Sequence, residues 1–342
     1  MSREKCNIPS RDREGADPLG SAKDRSLTVA ARVEVAARIG CVEVPRRHYL
    51  RIMSGCGGGR GTVHGLVVVL VSAGYIACAG CANNHKVIEP RPGPVAGLTA
   101  AEADARAEAV RRDPSAYLRR VADHCRALRQ YTLLFTRYER RGLLQQMFGP
   151  ERMRCWYRQQ PFSVRMKWLD ENLKYGESAY VAGQPDERVR FVTRWWVPPL
   201  LPPPGINKVD LQTPVLWGES KHPLTDFGLQ RLMERTLKSL DDAGENVVVT
   251  YEGLLVLPQT GATVHHLHLA YSQALMRVPI QELYIDVATD LPAGTILKLA
   301  SGRIDAAYFY EDLNPKVTLS DADFLLEVER ARGRAPSPGA RK

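Results

Sequence analysis

The feature that most constrains the fold of this chain is a change in hydrophobic period along it. Between residues 131 and 193, apolar and polar residues alternate, as in PFSVRMKWL (161–169), and a period of two predicts strands. HPLTDFGLQRLMERTLKSL (222–240) repeats apolar residues every three or four positions, which predicts one amphipathic helix with Thr225 as its N-cap. The period of two then returns, as in ATVHHLHLAYS (262–272). The chain therefore contains two groups of strands separated by a helix.

Two further helices precede the first strand. Thr99 and Glu102 have the spacing of a capping box, and Asp113 and Pro114 predict the N-cap and first residue of a second helix that ends near Gln130. About ten short antiparallel strands follow, and sheets of that size rarely stay open and flat. The fold class that we predict is therefore α+β, with a strongly curved antiparallel sheet and helices covering its concave side.

An apolar run ends at a cysteine well inside the chain. LVVVLVSAGYIACAGC (66–81) contains a segment of the length of a signal-peptide h-region, whereas a transmembrane helix needs about 20 apolar residues. Ala79-Gly80-Cys81 resembles the lipobox of bacterial lipoproteins, in which the cysteine is lipidated. Translation from Met53 would make residues 53–80 a lipoprotein-type signal peptide, with Cys81 as the lipidation site and residues 81–98 as a tether.

This interpretation places the protein in the bacterial cell envelope, anchored to a membrane by lipid on its N-terminus and facing the periplasm. Residues 1–52 are rich in arginine and lack periodicity, which predicts a mis-translated or disordered extension. The alternatives are a true extension followed by an uncleaved signal anchor, or a buried apolar segment. The folded domain is expected at 99–328, followed by a disordered basic tail at 329–342.

Charge and cysteine content favour neither a nucleic-acid partner nor a zinc ribbon. The formal net charge is +9, but basic residues are concentrated in 1–52 and in the closing RARGRAPSPGARK (330–342), and no nucleic-acid motif is present. Of the seven cysteines, Cys125 and Cys155 are the two left in the mature chain after the acylated one. That count allows one disulfide or two free thiols.

Three patches of sequence resemble a family of uncharacterised bacterial envelope domains in the LolA/LolB-like lipoprotein-carrier superfamily. They are PFSVRMKWL (161–169), HPLTDFGLQRLMERTL (222–237) and YFYEDLNPKVTLSDADF (308–324). The resemblance covers residues from about 115 to 324 and implies an unclosed β-barrel whose mouth is covered by helices. It implies no catalytic residues, and a function inferred from the fold alone is an analogy.

The chain offers no catalytic constellation, so we expect neither an enzyme nor a cofactor. Nucleophile-elbow and phosphate-loop motifs are missing from the sequence. In VHHLHL (264–269), His266 and His268 share one face of a strand and His265 takes the other. With Glu282 or Asp286 from a neighbouring strand, the pair is a weak candidate for a zinc site, and a metal-dependent hydrolase is the less favoured alternative.

Binding of an apolar ligand without covalent chemistry is the function that the sequence favours, with lipid or lipoprotein acyl chains as the partner. The predicted ligand-binding face is Phe162, Val164, Met166 and Trp168, which could equally be packed core. Four apolar residues lie in the proline-rich loop after the fifth strand: Trp195, Trp196, Leu200 and Leu201. If they are exposed, we predict that they contact the membrane or close the mouth of the barrel, and the alternative is that they are tucked inward. The alternative is a structural module with a packed barrel that binds a protein.

Overall fold

The computed structural model describes residues 86–93, 98–142, 144–194, 204–272 and 277–334. The predicted extension, signal peptide and lipidation site at Cys81 lie outside the described residues. So do the loop residues Trp195, Trp196, Leu200 and Leu201, and positions 335–342 of the predicted tail. Within the described residues, no helix is both long and apolar enough to cross a membrane.

Eleven strands form one antiparallel sheet, which confirms the predicted fold class. The strands are β1 Gln130–Arg141, β2 Gln146–Arg158, β3 Ser163–Trp168, β4 Tyr175–Val181, β5 Val189–Thr193, β6 Ile206–Val209, β7 Val247–Val256, β8 Thr263–Tyr271, β9 Ile280–Asp286, β10 Pro292–Lys298 and β11 Ile304–Asn314. Their order across the sheet is β6-β5-β4-β3-β2-β1-β11-β10-β9-β8-β7. Two meanders, β1 to β6 and β7 to β11, are therefore joined by the pairing of β1 with β11, and β6 and β7 are the edge strands.

Five α-helices accompany the sheet in the described chain: α1 Ala100–Arg112, α2 Pro114–Ala127, α3 Thr213–Leu216, α4 Leu229–Ala243 and α5 Glu327–Arg334. The predicted capping box of α1 is present, with the Thr99 hydroxyl and the Glu102 carboxylate each bonding the other's backbone. Asp113 caps α2 through a 2.8 Å bond from the Ala116 amide. α2 ends three residues earlier than predicted because the chain enters β1 at Gln130.

The main core lies between the concave face of the sheet and helices α2 and α4. Buried apolar residues of both helices, such as Leu118 and Met233, share one cluster with inward residues of the strands, such as Leu133 and Leu267. Cys125 and Cys155 belong to this cluster as free thiols, and burial raises the pKa of Cys125 to about 12. Both cysteines therefore act as inert apolar side chains.

The start of α4 differs from the prediction. Thr225 lies in a short 3₁₀ turn, Leu224–Asp226, and Gly228 occupies the N-cap position without a side-chain cap. The Tyr131 hydroxyl from β1 instead accepts the Leu229 amide at 2.9 Å. The helix thus starts where a tertiary contact from the sheet replaces the local cap that the sequence suggested.

Both ends of the described chain are packed against the rest of the fold. In the predicted tether, Val87 is buried against the convex face and Arg91 forms a β-bridge with Val256. In the predicted tail, residues 329–334 continue helix α5, because Glu329 accepts two 2.6 Å hydrogen bonds from the buried Arg190. The described residues 86–93 and 329–334 therefore belong to the fold.

Substituting Gly228 tests the junction between β1 and α4. A Cβ there would lie 2.7 Å from the Tyr157 ring, and the backbone φ is +123°. We expect Gly228→Ala to lower the free energy of unfolding by about 3 kcal/mol, combining backbone strain with overpacking. Gly253→Ala is the matched control, because φ is +110° with open space around it, and we expect a loss of about 1 kcal/mol. Urea unfolding that gives equal losses for both variants would contradict the steric account.

Candidate functional site

A cavity of about 150 Å³ lies between the concave face of the first meander and the segment that leads into α4. Strands β1, β3, β4, β5 and β6 form one wall together with β11, and residues 214–228 form the other. Most of the lining side chains are apolar, and six of them are aromatic rings of the sheet: Phe135, Trp168, Tyr175, Phe191, Tyr308 and Tyr310. This is the composition expected of a site for an apolar group.

The aromatic walls support one another. Phe135 meets the Phe227 ring edge to face, with 5.2 Å between the ring centroids, and stacks against Tyr310 at 5.4 Å. Tyr175 contacts Trp168 at 5.8 Å and Phe191 at 5.9 Å. Because each ring packs against the next, the walls are stabilised without filling the space between them.

One side of the cavity ends in a buried cluster of charges. Glu151 accepts hydrogen bonds from the guanidinium groups of Arg137 and Arg141, and from the Trp168 indole at 3.4 Å. Burial alone would raise the pKa of Glu151, but the two arginines overcome that effect and lower it to about 2. Arg137, Arg141 and Glu151 therefore form the charged floor of the cavity, and their ion pairs are made within the protein.

Glu139 lies beside this network and faces the cavity. Its Oε1 accepts a 2.7 Å hydrogen bond from the Tyr308 hydroxyl. Both Arg137 and Arg141 lie 3.8 Å from its Oε2, near enough to balance charge but beyond hydrogen-bonding distance. Charge is thus compensated at Glu139, although one of its oxygens has no donor.

The histidine pair forms a second polar cluster, which points away from the cavity. Glu282 is the neighbouring carboxylate, and its Oε2 lies 2.9 Å from Nε2 of His266 and 3.0 Å from Nδ1 of His268. Its Oε1 is bonded at 3.3 Å by Lys298, which also bonds Glu89 at 2.9 Å. Burial raises the pKa of Glu282, and the hydrogen bonds from the histidines outweigh that effect and lower it to about 2.

The predicted geometry of the histidine strand is correct, but its chemistry is that of an ion-pair network. His265 takes the opposite face, where Tyr251 bonds its Nδ1 at 3.0 Å and burial lowers its pKa to about 4. Among the described residues, no group of three or more His, Cys, Asp or Glu side chains is arranged to hold a metal ion. The weak candidates His266 and His268 therefore pair with Glu282 in a cluster that Lys298 completes.

Residues 128–331 match the model of a family described as "Protein of unknown function (DUF1571)". The chain belongs to this family. A comparison with curated protein sequences finds no match. The family match extends over the whole sheet and into α5, so the cavity and the histidine cluster both lie within the family domain.

Several solved structures are similar to this member of the family. MucB in the Pseudomonas aeruginosa MucA/MucB complex is 15% identical, covering 64% of this chain and 62% of the other, with a TM-score of 0.38. The Mycobacterium tuberculosis lipoprotein LppX is 11% identical over 61% of this chain and all of the other, with a TM-score of 0.37. A LolA superfamily protein from Nitrosomonas europaea is 8% identical over 62% of this chain and 97% of the other, with a TM-score of 0.23.

These similarities concern the fold. The chain spans less than two thirds of the length of the MucB structure that it matches. The similar structures include a protein of the LolA superfamily, which is the superfamily that the three sequence patches resemble.

The four residues of the predicted ligand-binding face fall into two pairs with different surroundings. Met166 and Trp168 line the cavity, whereas Val164 is fully buried in the core and Phe162 packs between Tyr157 and Tyr180. The aromatic residues contributed by the other strands were not predicted from the sequence. Their signal was present in the same period of two, as in Tyr308 and Tyr310, but alternation does not reveal which strands become neighbours.

The charged floor predicts a particular dependence of stability on pH. The pKa of Glu151 is depressed from its ordinary value of 4.5 to about 2, so its contribution is complete above about pH 4.5 and is lost as the pH falls toward 2. Glu151→Gln leaves two buried arginines without their partner, and we expect a loss of about 3 kcal/mol in unfolding free energy at pH 7. Between pH 4.5 and 2 the variant should lose less stability than the wild type does.

The control for Glu151→Gln is Glu108→Gln on α1. Its carboxylate pairs with Arg111, and both side chains are more than half exposed, so we expect a change below about 1 kcal/mol at pH 7. The measurement is urea unfolding at pH 7 and at pH 3. If the unfolding free energy of the Glu151 variant falls between pH 7 and pH 3 by as much as that of the wild type, the arginines do not hold this carboxylate ionised.

Proposed function

We propose that this protein binds the apolar part of a lipid or of a lipoprotein's acyl chains in the cavity, without covalent chemistry. The observation that supports the proposal is the aromatic cavity itself, which is lined by Met166 and Trp168 on the predicted face and is open at one side. A packed barrel, as expected of a purely structural module, would fill this space.

The size of the cavity limits how much ligand it encloses. A volume of about 150 Å³ accommodates a small aromatic ring, so a longer ligand would extend through the opening. Each buried methylene contributes about 0.8 kcal/mol, and association costs at least about 4 kcal/mol, so affinity requires burial of several methylenes. The proposed occupant is therefore one end of an apolar chain.

Apolar side chains at the opening support contact with a membrane or a lipid cargo. Trp217 lines the cavity and is 59% exposed, and its neighbour Leu216 on α3 is 74% exposed. Phe191 and Val209, on the strands before and after the proline-rich loop, also line the cavity. We propose that Trp195, Trp196, Leu200 and Leu201 of that loop contribute to the same contact.

A matched pair of tryptophan substitutions tests the cavity. Val209 on edge strand β6 lines it, and Val248 on edge strand β7 is 61% exposed. We expect Val209→Trp to fill the space and weaken binding of the apolar fluorophore N-phenyl-1-naphthylamine at least tenfold, because the ring takes the place of the ligand. Val248→Trp should bind as the wild type does. Equal binding by all three proteins, measured by fluorescence titration, would mean that the fluorophore does not occupy this cavity.

We further propose that Cys81 anchors the protein by lipid in the bacterial cell envelope, on the side facing the periplasm. The support is the lipobox-like Ala79-Gly80-Cys81 after an apolar run of h-region length. An acylated cysteine would hold the cavity near its lipid source.

Intact-mass and N-terminal peptide analysis of the protein from membranes of its host tests the anchor. We expect a mature chain that begins at a diacyl-modified Cys81, and we expect Cys81→Ser to accumulate unprocessed. Cys56→Ser, at a cysteine that precedes the apolar run, is the control and should be processed normally. A soluble wild-type chain that retains residues 1–65 would overturn the anchor.

A further inference from the structure

Glu139 presents an unsatisfied acceptor at the wall of the cavity. The side chain is 1% exposed, and its Oε1 is bonded by the Tyr308 hydroxyl at 2.7 Å. Its Oε2 is buried without a hydrogen-bond partner. Glu139 and Tyr308 both line the cavity, so the unbonded oxygen belongs to a residue of the cavity wall.

The nearby arginines balance the charge of Glu139 but leave this oxygen without a donor. Arg137 directs Nε and Nη2 to Glu151, and Nη1 to the Ser220 hydroxyl at 3.2 Å. Arg141 directs Nη2 to Glu151 and Nη1 to the Glu219 carbonyl at 2.5 Å. Arg137 Nη1 is engaged by Ser220 and stays 3.8 Å from Oε2 of Glu139. Arg141 Nε lies 3.8 Å from the same oxygen, beyond hydrogen-bonding distance, and is likewise buried without a partner.

A buried acceptor without a donor costs free energy, and a ligand that brings the donor recovers it. We infer that the cavity selects an amphiphile whose buried end carries a neutral hydroxyl, which donates a hydrogen bond to Oε2 of Glu139. This inference rests on the proposed function and names the class of ligand that the same cavity takes.

The surroundings of Oε2 argue against other end groups. An ester or ether brings only acceptors, so Oε2 stays without a donor. A carboxylate adds a second negative charge beside Glu139. An ammonium group donates, but it places a third cation beside Arg137 and Arg141, which already balance the carboxylates of the floor. A neutral hydroxyl supplies the donor without disturbing that balance.

Two isomeric ligands differ in whether they can donate a hydrogen bond. 1-Decanol and 1-methoxynonane have the same atoms and similar chain lengths, but only the alcohol donates a hydrogen bond. We expect 1-decanol to displace N-phenyl-1-naphthylamine from the full chain at a concentration at least tenfold lower than 1-methoxynonane. Decanoate and decylammonium should both be weaker than the alcohol.

Glu139→Gln should reverse the preference for the alcohol over the ether. The amide oxygen can keep the bond from Tyr308, which places an NH₂ donor where Oε2 was, so we expect the preference to shift to the ether by at least tenfold. Gln145→Glu, in the turn between β1 and β2, adds a carboxylate outside the cavity lining and should leave the wild-type preference unchanged. If Glu139→Gln does not fold, the ratio of the concentrations at which the two isomers displace the fluorophore from the wild type still tests the inference.

The outcomes separate this inference from the proposed function. If the alcohol and the ether bind the wild type equally, and Val209→Trp weakens both, the cavity binds apolar ligands but the selection by Glu139 is wrong. A folded Glu139→Gln protein that keeps the wild-type preference also overturns the selection. If neither isomer displaces the fluorophore, the proposed function itself fails.

Discussion

The antiparallel pairing of β1 with β11 controls both the continuity of the sheet and the position of the cavity. It joins strands separated by more than 160 residues and turns two local meanders into one sheet. The register places Phe135 opposite Tyr310 and Arg137 opposite Tyr308. The aromatic wall and the charged floor of the cavity thus meet across one strand pair, and Glu139 finds the Tyr308 hydroxyl there.

Two kinds of contact keep the cavity from closing. The aromatic rings pack against each other along the walls, so part of their apolar surface is in contact with protein before a ligand binds. The floor binds Arg137 and Arg141 to Glu151 within the protein, so these charges need no ligand to compensate them. What is left over is apolar space and the unbonded Oε2 of Glu139, with the unbonded Nε of Arg141 at 3.8 Å from it. We propose that these features define the ligand that fits.

The parts of the fold that local patterns control could be predicted from the sequence. A period of two revealed the strands, and the same rule placed His265 on the face opposite His266 and His268. The capping spacing of Thr99 and Glu102 was correct because the whole interaction lies within one turn of helix. Each of these features depends on residues close together in the chain.

Features that depend on distant residues could not be predicted in this way. Arg165 alternates with the apolar residues of β3, a pattern typical of an exposed polar face, but its side chain is 1% exposed. It pairs with Glu177 at 2.5 Å and donates to the Asp323 carbonyl of the C-terminal segment. The start of α4 depends on the Tyr131 hydroxyl from a strand about 100 residues earlier. The cavity likewise requires the β1–β11 pairing, and no local pattern encodes that register.

Extraction of bound molecules shows whether the cavity holds an apolar ligand in the native protein. The full chain would be purified from membranes of its host without added lipid, and the extracted organic molecules would be identified by mass spectrometry beside the same preparation of Val209→Trp. We expect a hydroxyl-bearing amphiphile at close to one molecule per wild-type chain, strongly depleted from the variant. Wild-type protein that carries no amphiphile, or carries the same amount as the variant, would mean that the cavity does not hold such a ligand.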